Sequence, residues 1–233
     1  MPRTHPGNIQ ILYEDNHLIA INKRSGDIVQ GDKTGDAPLS EILKEFIKKR
    51  DNKPGNVFMG VIHRIDRPVS GVVVFAKTGK ALSRMNQQLK EKSFQKRYWA
   101  IVENEPRPKK GSRVDFLLKN QQKNRSSVVQ EGRANSKRAE LNYEMIAKSD
   151  RYFLLQVDPI TGRHHQIRVQ LSSMGSVIKG DLKYGAKRGN KDASICLHAR
   201  ELRFIHPVKK EEVVILAAPP TDELWDFFVR QVL

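Results

Sequence analysis

Gly60-Val61-Ile62-His63-Arg64-Ile65-Asp66-Arg67-Pro68-Val69-Ser70-Gly71 runs without a break into Val72-Val73-Val74-Phe75-Ala76-Lys77. The second piece, Val72 to Ala76, is a continuous apolar run of strand length, as expected of a buried strand. Pro68 and Gly71 make the piece before it a rigid loop rather than a helix. His63, Arg64 and Asp66 therefore fall within four residues at the entry to that strand. An aspartate flanked by Arg64 and Arg67 is expected to stay ionised at neutral pH, because positive neighbours favour the carboxylate. Held at a strand end, it can act as nucleophile or general base. On spacing alone, an ordinary turn in which Asp66 caps backbone amides fits as well.

Outward from this stretch, short strands are predicted at Ile9–Tyr13 and Leu18–Asn22, flanking Glu14-Asp15-Asn16-His17. Pro38 opens an amphipathic helix carrying Leu39, Ile42, Leu43, Phe46 and Ile47, and Lys80–Lys90 forms another. Tyr98–Glu103 reads as a strand closed by the polar turn Asn104–Gly111. Val114–Leu118, Ala139–Ile146 and Tyr152–Val157 are strand-like pieces between basic loops, and His165–Met174 is a short helix. Ala193–Phe204 and Val213–Ala217 return to strand before a terminal helix at Asp222–Arg230. Helices placed singly among strands imply an α+β fold, a mixed and largely antiparallel sheet with helices packed on it. No linker separates independent domains, so residues 1–233 are expected to form one domain.

The 233 residues are 38% hydrophobic and 29% charged, enough to bury a core and unlike a disordered chain. A single cysteine, Cys196, excludes a disulfide framework and suits a reducing compartment. No apolar run approaches the roughly 20 residues of a membrane span, and the N-terminal residues show no secretory signal, so a soluble cytoplasmic protein without a membrane partner is expected. The net charge is +16, of which residues 77–138 carry +12. Cations so concentrated point to a polyanion, since binding phosphates releases counterions.

A second cluster is Thr161-Gly162-Arg163-His164-His165-Gln166-Ile167-Arg168, leading to Gly180-Asp181-Leu182-Lys183-Tyr184-Gly185. As a helix it puts His164 and Arg168 on one face and Ile167 and Leu171 on another. Adjacent histidines without a carboxylate or cysteine partner do not match a zinc helix, so no metal is expected. A phosphate contact at the helix start, or a plain polar cap, fits better.

Together these residues resemble the RluA-type family of RNA pseudouridine synthases. His63-Arg64-Ile65-Asp66 with Ser70-Gly71 and Ala76-Lys77 is similar to its HRLDxxTSGxxxxAK signature. Asn22-Lys23 with Gly26 resembles NKPxG, and Lys96-Arg97-Tyr98-Trp99-Ala100 resembles KxYxA. Gly162–Arg168, Gly180–Gly185, and Leu197-His198-Ala199 with His206-Pro207 resemble GRxHQIRxHL, GDxxYG and LHAxxL…HP in the family's order.

The resemblance implies a cofactor-free isomerase that flips a uridine of ribosomal or transfer RNA out of its stack and isomerises the glycosidic bond. It implies that Asp66 is the essential carboxylate, attacking base or sugar, with Tyr98 on the uracil face and Arg168 paired to the carboxylate. Arg64 enters the RNA stack, Ile167 walls the base pocket, and His63 joins them on the substrate side. Lys109, Lys110, Lys123, Arg125 and Arg163 are expected to grip the RNA backbone. Because the Asn22-Lys23 segment lies so near the start of the sequence, no N-terminal S4 domain is expected, and the catalytic domain, as a monomer, is expected to grip the RNA itself. Arg24, Val69 and Gln170 depart from the family's proline, threonine and histidine, none of which carries an assigned chemical role. The rival reading is a catalytically idle RNA-binding protein of the same fold, acting in RNA assembly. A metal-dependent nuclease lacks an acidic cluster to hold magnesium.

Overall fold

Valine and isoleucine dominate the strands Ser70–Ala76 (SGVVVFA) and Glu212–Leu216 (EVVIL), and the helices are inserted singly between the strands. The structure is a computed structural model that describes residues 3–31 and 35–233. In chain order the strands and helices are β1 (Ile11–Glu14), β2 (Leu18–Lys23), α1 (Leu39–Arg50), β3 (Gly60–Val61) and β4 (Ser70–Ala76). There follow α2 (Gly79–Lys90), β5 (Gln95–Val102), β6 (Lys110–Asn120), β7 (Arg125–Val129), β8 (Lys137–Lys148) and β9 (Phe153–Pro159). The chain ends with α3 (Gln166–Ser173), a 3-10 turn (Leu182–Tyr184), β10 (Leu197–Ile205), β11 (Glu212–Leu216) and α4 (Glu223–Val232). The fold is α+β with a largely antiparallel sheet, as the sequence implies. Internal contacts divide the chain into two units, Met1–Lys96 with Ala199–Pro220 and Arg97–His198 with Thr221–Leu233.

In the first unit the strand order is β1-β2-β4-β10, with β11 on β10 and the short β3 on β4. All seven residues of β4 are buried, and β2 pairs with it antiparallel from Leu18 opposite Ala76 to Lys23 opposite Gly71. α1 buries Leu39, Leu43 and Ile47, one residue per turn, and Thr78 caps α2 by accepting the Ala81 N–H. The β1–β2 turn is drawn tight by Asp15, whose Oδ1 accepts the His17 and Leu18 amides at 2.7 and 2.8 Å. His206 locks the same turn: its Nε2 lies 2.7 Å from Asp15 Oδ2 while Nδ1 accepts the Val208 and Lys209 amides. The His206-Pro207 motif is thus a structural bolt. Gly71 has φ +118, and a Cβ there would stand 2.3 Å from the Ala199 carbonyl oxygen. Only glycine lets β4 lie that close to β10.

In the second unit the order is β5-β9-β8-β6-β7, with each neighbouring pair antiparallel. α4 packs on β8, burying Trp225 and Phe228, with Asp222 accepting the Leu224 and Trp225 amides as its N-cap. β7 is a strand the sequence pattern does not reveal, because Arg125, Ser127 and Val128 face solvent along an edge. The expected helix at His165–Met174 starts one residue later. His165 is left-handed (φ 54), its ring stacked on His164 at 3.8 Å and its Nδ1 2.9 Å from Tyr184 Oη. His164 accordingly lies outside α3, and the expected shared face of His164 and Arg168 is not formed.

Candidate active site

Asp66 begins a β-turn, in which the Val69 amide donates to the Asp66 carbonyl at 3.0 Å. The turn is gripped from one side by the segment Lys23–Gly26. Lys23, 1% exposed, donates from Nζ to the carbonyls of Arg24 (2.9 Å), Arg67 (3.1 Å) and Val69 (2.6 Å). Ser25 Oγ donates to the Pro68 carbonyl at 3.1 Å, and the Gly26 amide, at φ +94, donates to that of Arg67 at 2.9 Å. The backbone that carries Asp66 is thus fixed, while its side chain remains partly exposed. Burial pushes the Lys23 ammonium down to about 7, against the opposing pull of the Asp27 and Asp66 carboxylates. Lys23 stands in a recognised motif but had no assigned role; its partners are backbone carbonyls, which leave no mark in sequence.

The arginines beside Asp66 turn elsewhere. Arg67 donates to Asp36 Oδ2 at 2.5 Å, and the exposed Arg64 reaches Gln30 Oε1 at 3.4 Å. Adjacency in sequence therefore does not make either arginine's charge a hydrogen-bonded partner for Asp66. His63 is 6% exposed and accepts the Val74 amide through Nε2 at 3.2 Å, doing for the edge of β4 what another strand would do. Burial and the nearby Lys96 hold it neutral, well below the usual histidine range. Its Nδ1 is a buried donor with no partner among the described residues.

In the second unit Tyr98, 8% exposed, lies on β5 opposite Val157 of β9. Ile167 and Arg168 are consecutive buried residues of α3. Arg168 donates from Nε and Nη2 to the two carboxylate oxygens of Asp181, at 2.7 and 2.8 Å. Gln170 is fully buried and donates to Asp115 at 2.8 Å.

The basic residues expected on RNA divide into two groups. Lys109 and Lys110 are exposed but sit beside acids, Glu105 at 3.4 Å and Glu144 at 2.9 Å. Lys110 and Arg125, expected in turn-like segments, instead open β6 and β7, because the hairpin supplies ladder pairing to polar residues whose side chains point outward. Lys123 stays in the exposed turn between those strands. That turn is pinned: Asn124 Oδ1 lies 3.0 Å from His164 Nε2, its carbonyl accepts Lys183 Nζ at 3.1 Å, and Ser126 Oγ donates to the His164 carbonyl at 2.8 Å. Arg125 lies over the Tyr184 ring at 5.2 Å, and Arg163 donates to the Arg138 carbonyl at 2.9 Å. The two histidines are fasteners for a basic hairpin. Among the described residues no group of three or more His, Cys, Asp or Glu could hold a metal ion, and no helix is long and apolar enough to cross a membrane.

A family model described as RNA pseudouridylate synthase matches residues 17–173. "Ribosomal large subunit pseudouridine synthase C" of Vibrio vulnificus is 35% identical over 213 residues, covering 89% of this chain and 64% of that protein. The protein of the same name from Buchnera aphidicola is 36% identical over 227 residues, covering 93% and 69%. The solved structure of human RNA Pseudouridylate Synthase Domain Containing 4 shares the fold, with a TM-score of 0.78 at 22% identity over 96% of this chain and 92% of that one. The chain belongs to the RNA pseudouridylate synthase family. It spans 64% of the length of the Vibrio relative, about two thirds.

Proposed function

We propose that this chain isomerises uridines of RNA to pseudouridine, with ribosomal RNA the first substrate to test because the relatives above are named for it. The observation that carries the reading is Asp66 on a turn whose carbonyls at 67, 68 and 69 are all held by the Lys23–Gly26 segment. A carboxylate so placed needs no reorganisation before it attacks. The exposed Arg64 takes the place of the flipped uridine in the stack. Asp66 attacks base or sugar, the C1′–N1 bond breaks, a C1′–C5 bond forms, the bond to Asp66 is released, and N1 gains a proton to match the one lost from C5. Tyr98 supports the uracil face and helps the C5 proton leave, Arg168 balances the carboxylate's charge, and Ile167 walls the pocket. The reaction is an isomerisation and consumes no co-reactant. Lys123, Arg125 and Arg163 grip phosphates from the β6–β7 hairpin and its neighbourhood, with Lys109 and Lys110 contributing less. The protein acts as a monomer in the cytoplasm.

The test is Asp66→Asn, nearly isosteric but neither nucleophile nor base. Pseudouridine formation on ribosomal RNA should vanish, while RNA affinity stays within about threefold because the basic surface is untouched. Activity within about tenfold of wild type would remove Asp66 from the chemistry. A wild-type chain that binds RNA and makes no pseudouridine would leave the idle reading standing.

A further inference from the structure

Arg168 and Asp181 form a buried pair, 5% and 1% exposed. Removing two ions from water costs about as much as their attraction returns, so such a pair stabilises a fold little more than apolar residues of the same volume would. What it gives is orientation. A guanidinium held through Nε and Nη2 by both oxygens of one carboxylate cannot turn about its own axis. The Tyr184 ring closes over it, 5.1 Å from the guanidinium carbon.

Both partners are themselves fixed. Tyr184 Oη accepts the Ser126 amide at 2.9 Å, and Ser172 Oγ donates to the Tyr184 carbonyl at 2.7 Å, which ties the 3-10 turn to α3. Gly180, just before Asp181, has φ +87, and a Cβ there would meet Asn190 at 2.7 Å and the Ser194 carbonyl at 2.9 Å. The Gly180–Gly185 segment is therefore a rigid bracket whose carboxylate and ring both bear on one side chain.

We propose that Asp181 and Tyr184 are positioning residues for Arg168, setting the direction in which its guanidinium points during the reaction. The proposal rests on the reading above, in which Arg168 serves catalysis. Displacing a group by an ångström is enough to cost about a hundredfold in rate, so loosening the bracket acts on turnover rather than on RNA binding.

Asp181→Asn keeps the shape and removes the charge. On the full chain, kcat per folded molecule should fall by about tenfold or more, with KM and RNA affinity within about threefold. The Arg168 Nε–H resonance, assigned through Arg168→Lys, should be slow to exchange in the wild type and exchange-broadened in Asp181→Asn. Should Asp181→Asn fail to fold, Tyr184→Leu, which removes the ring face, is the second variant, with the same kcat-against-KM split expected. A soluble Asp181→Asn, or Tyr184→Leu in its place, with wild-type kcat overturns the proposal. So does an Arg168 Nε–H signal as protected in the variant as in the wild type. The resonance needs no RNA: if the wild type makes no pseudouridine, the functional reading fails while the positioning of Arg168 is still decided.

Discussion

Replacing Lys23 by methionine probes the clamp beneath Asp66. Methionine keeps most of the volume and removes all three donors, which now reach the carbonyls of Arg24, Arg67 and Val69. Hydrogen bonds from a charged donor contribute about 1.5–3 kcal/mol each. Relief of the ammonium's desolvation offsets several kcal/mol of that loss. The balance is a variant about 2 kcal/mol less stable at pH 7, read as a lower urea midpoint at unchanged m-value. The dependence on pH has a definite sign. Lys23 titrates near 7 in the folded chain and at about 10.4 when unfolded. Between those values the unfolded chain holds a proton that the folded chain has released, so the stability this site confers rises with pH across that window. From pH 7 to 9 the gap between wild type and Lys23→Met should widen by about 2 kcal/mol in favour of the wild type. Turnover well below the melting range should stay within about fivefold, because the bonds from Val69, Ser25 and Gly26 still hold the turn. A variant as stable as the wild type at pH 7 would refute the clamp, and a gap that does not change with pH would refute the lowered titration of Lys23.

Two further substitutions test the grip on RNA and the approach of β10 to β4. Lys123→Ala with Arg125→Ala should flatten the slope of log K against log salt by about 1.4, at about 0.7 per phosphate contact on single-stranded RNA. Lys109→Ala with Lys110→Ala, whose charges already face Glu105 and Glu144, should change it by less than half as much; equal effects in a filter-binding titration would mean that both pairs of cations reach the RNA alike. Gly71→Ala should abolish soluble expression, with its Cβ 2.3 Å from the Ala199 carbonyl oxygen, whereas Gly79→Ala, with open space around it at the start of α2, should be neutral or stabilise by up to about 1 kcal/mol in thermal unfolding.

Periodicity and turn residues disclosed nearly every element, since β4, α1 and α2 carry patterns that local burial dictates. β7 escaped because an edge strand facing water has no apolar alternation to show. The position of Asp66 was legible from its loop and the strand behind it. What holds it was not, because Lys23 and the Val69 carbonyl are 46 positions apart and a carbonyl is the same in every residue. Charge invited a simpler guess, that Arg67 would serve its neighbour Asp66, and the fold instead sends it to Asp36. His164 and His165 showed the same limit: their residue types left a phosphate contact and a plain polar cap equally open, and the structure shows them fastening a hairpin, with a left-handed backbone at His165.

The place of β4 between β2 and β10 sets a schedule for the ribosome. β2 has already emerged when Val72–Ala76 is made, but β10 begins at Leu197, some 120 residues later. At about 5–20 residues per second that interval lasts roughly 6–24 s. During it, β3 covers only Phe75 and Ala76, and the His63 ring only the Val74 amide. A nascent chain with an apolar strand edge uncovered for that long is a natural client for a ribosome-associated chaperone.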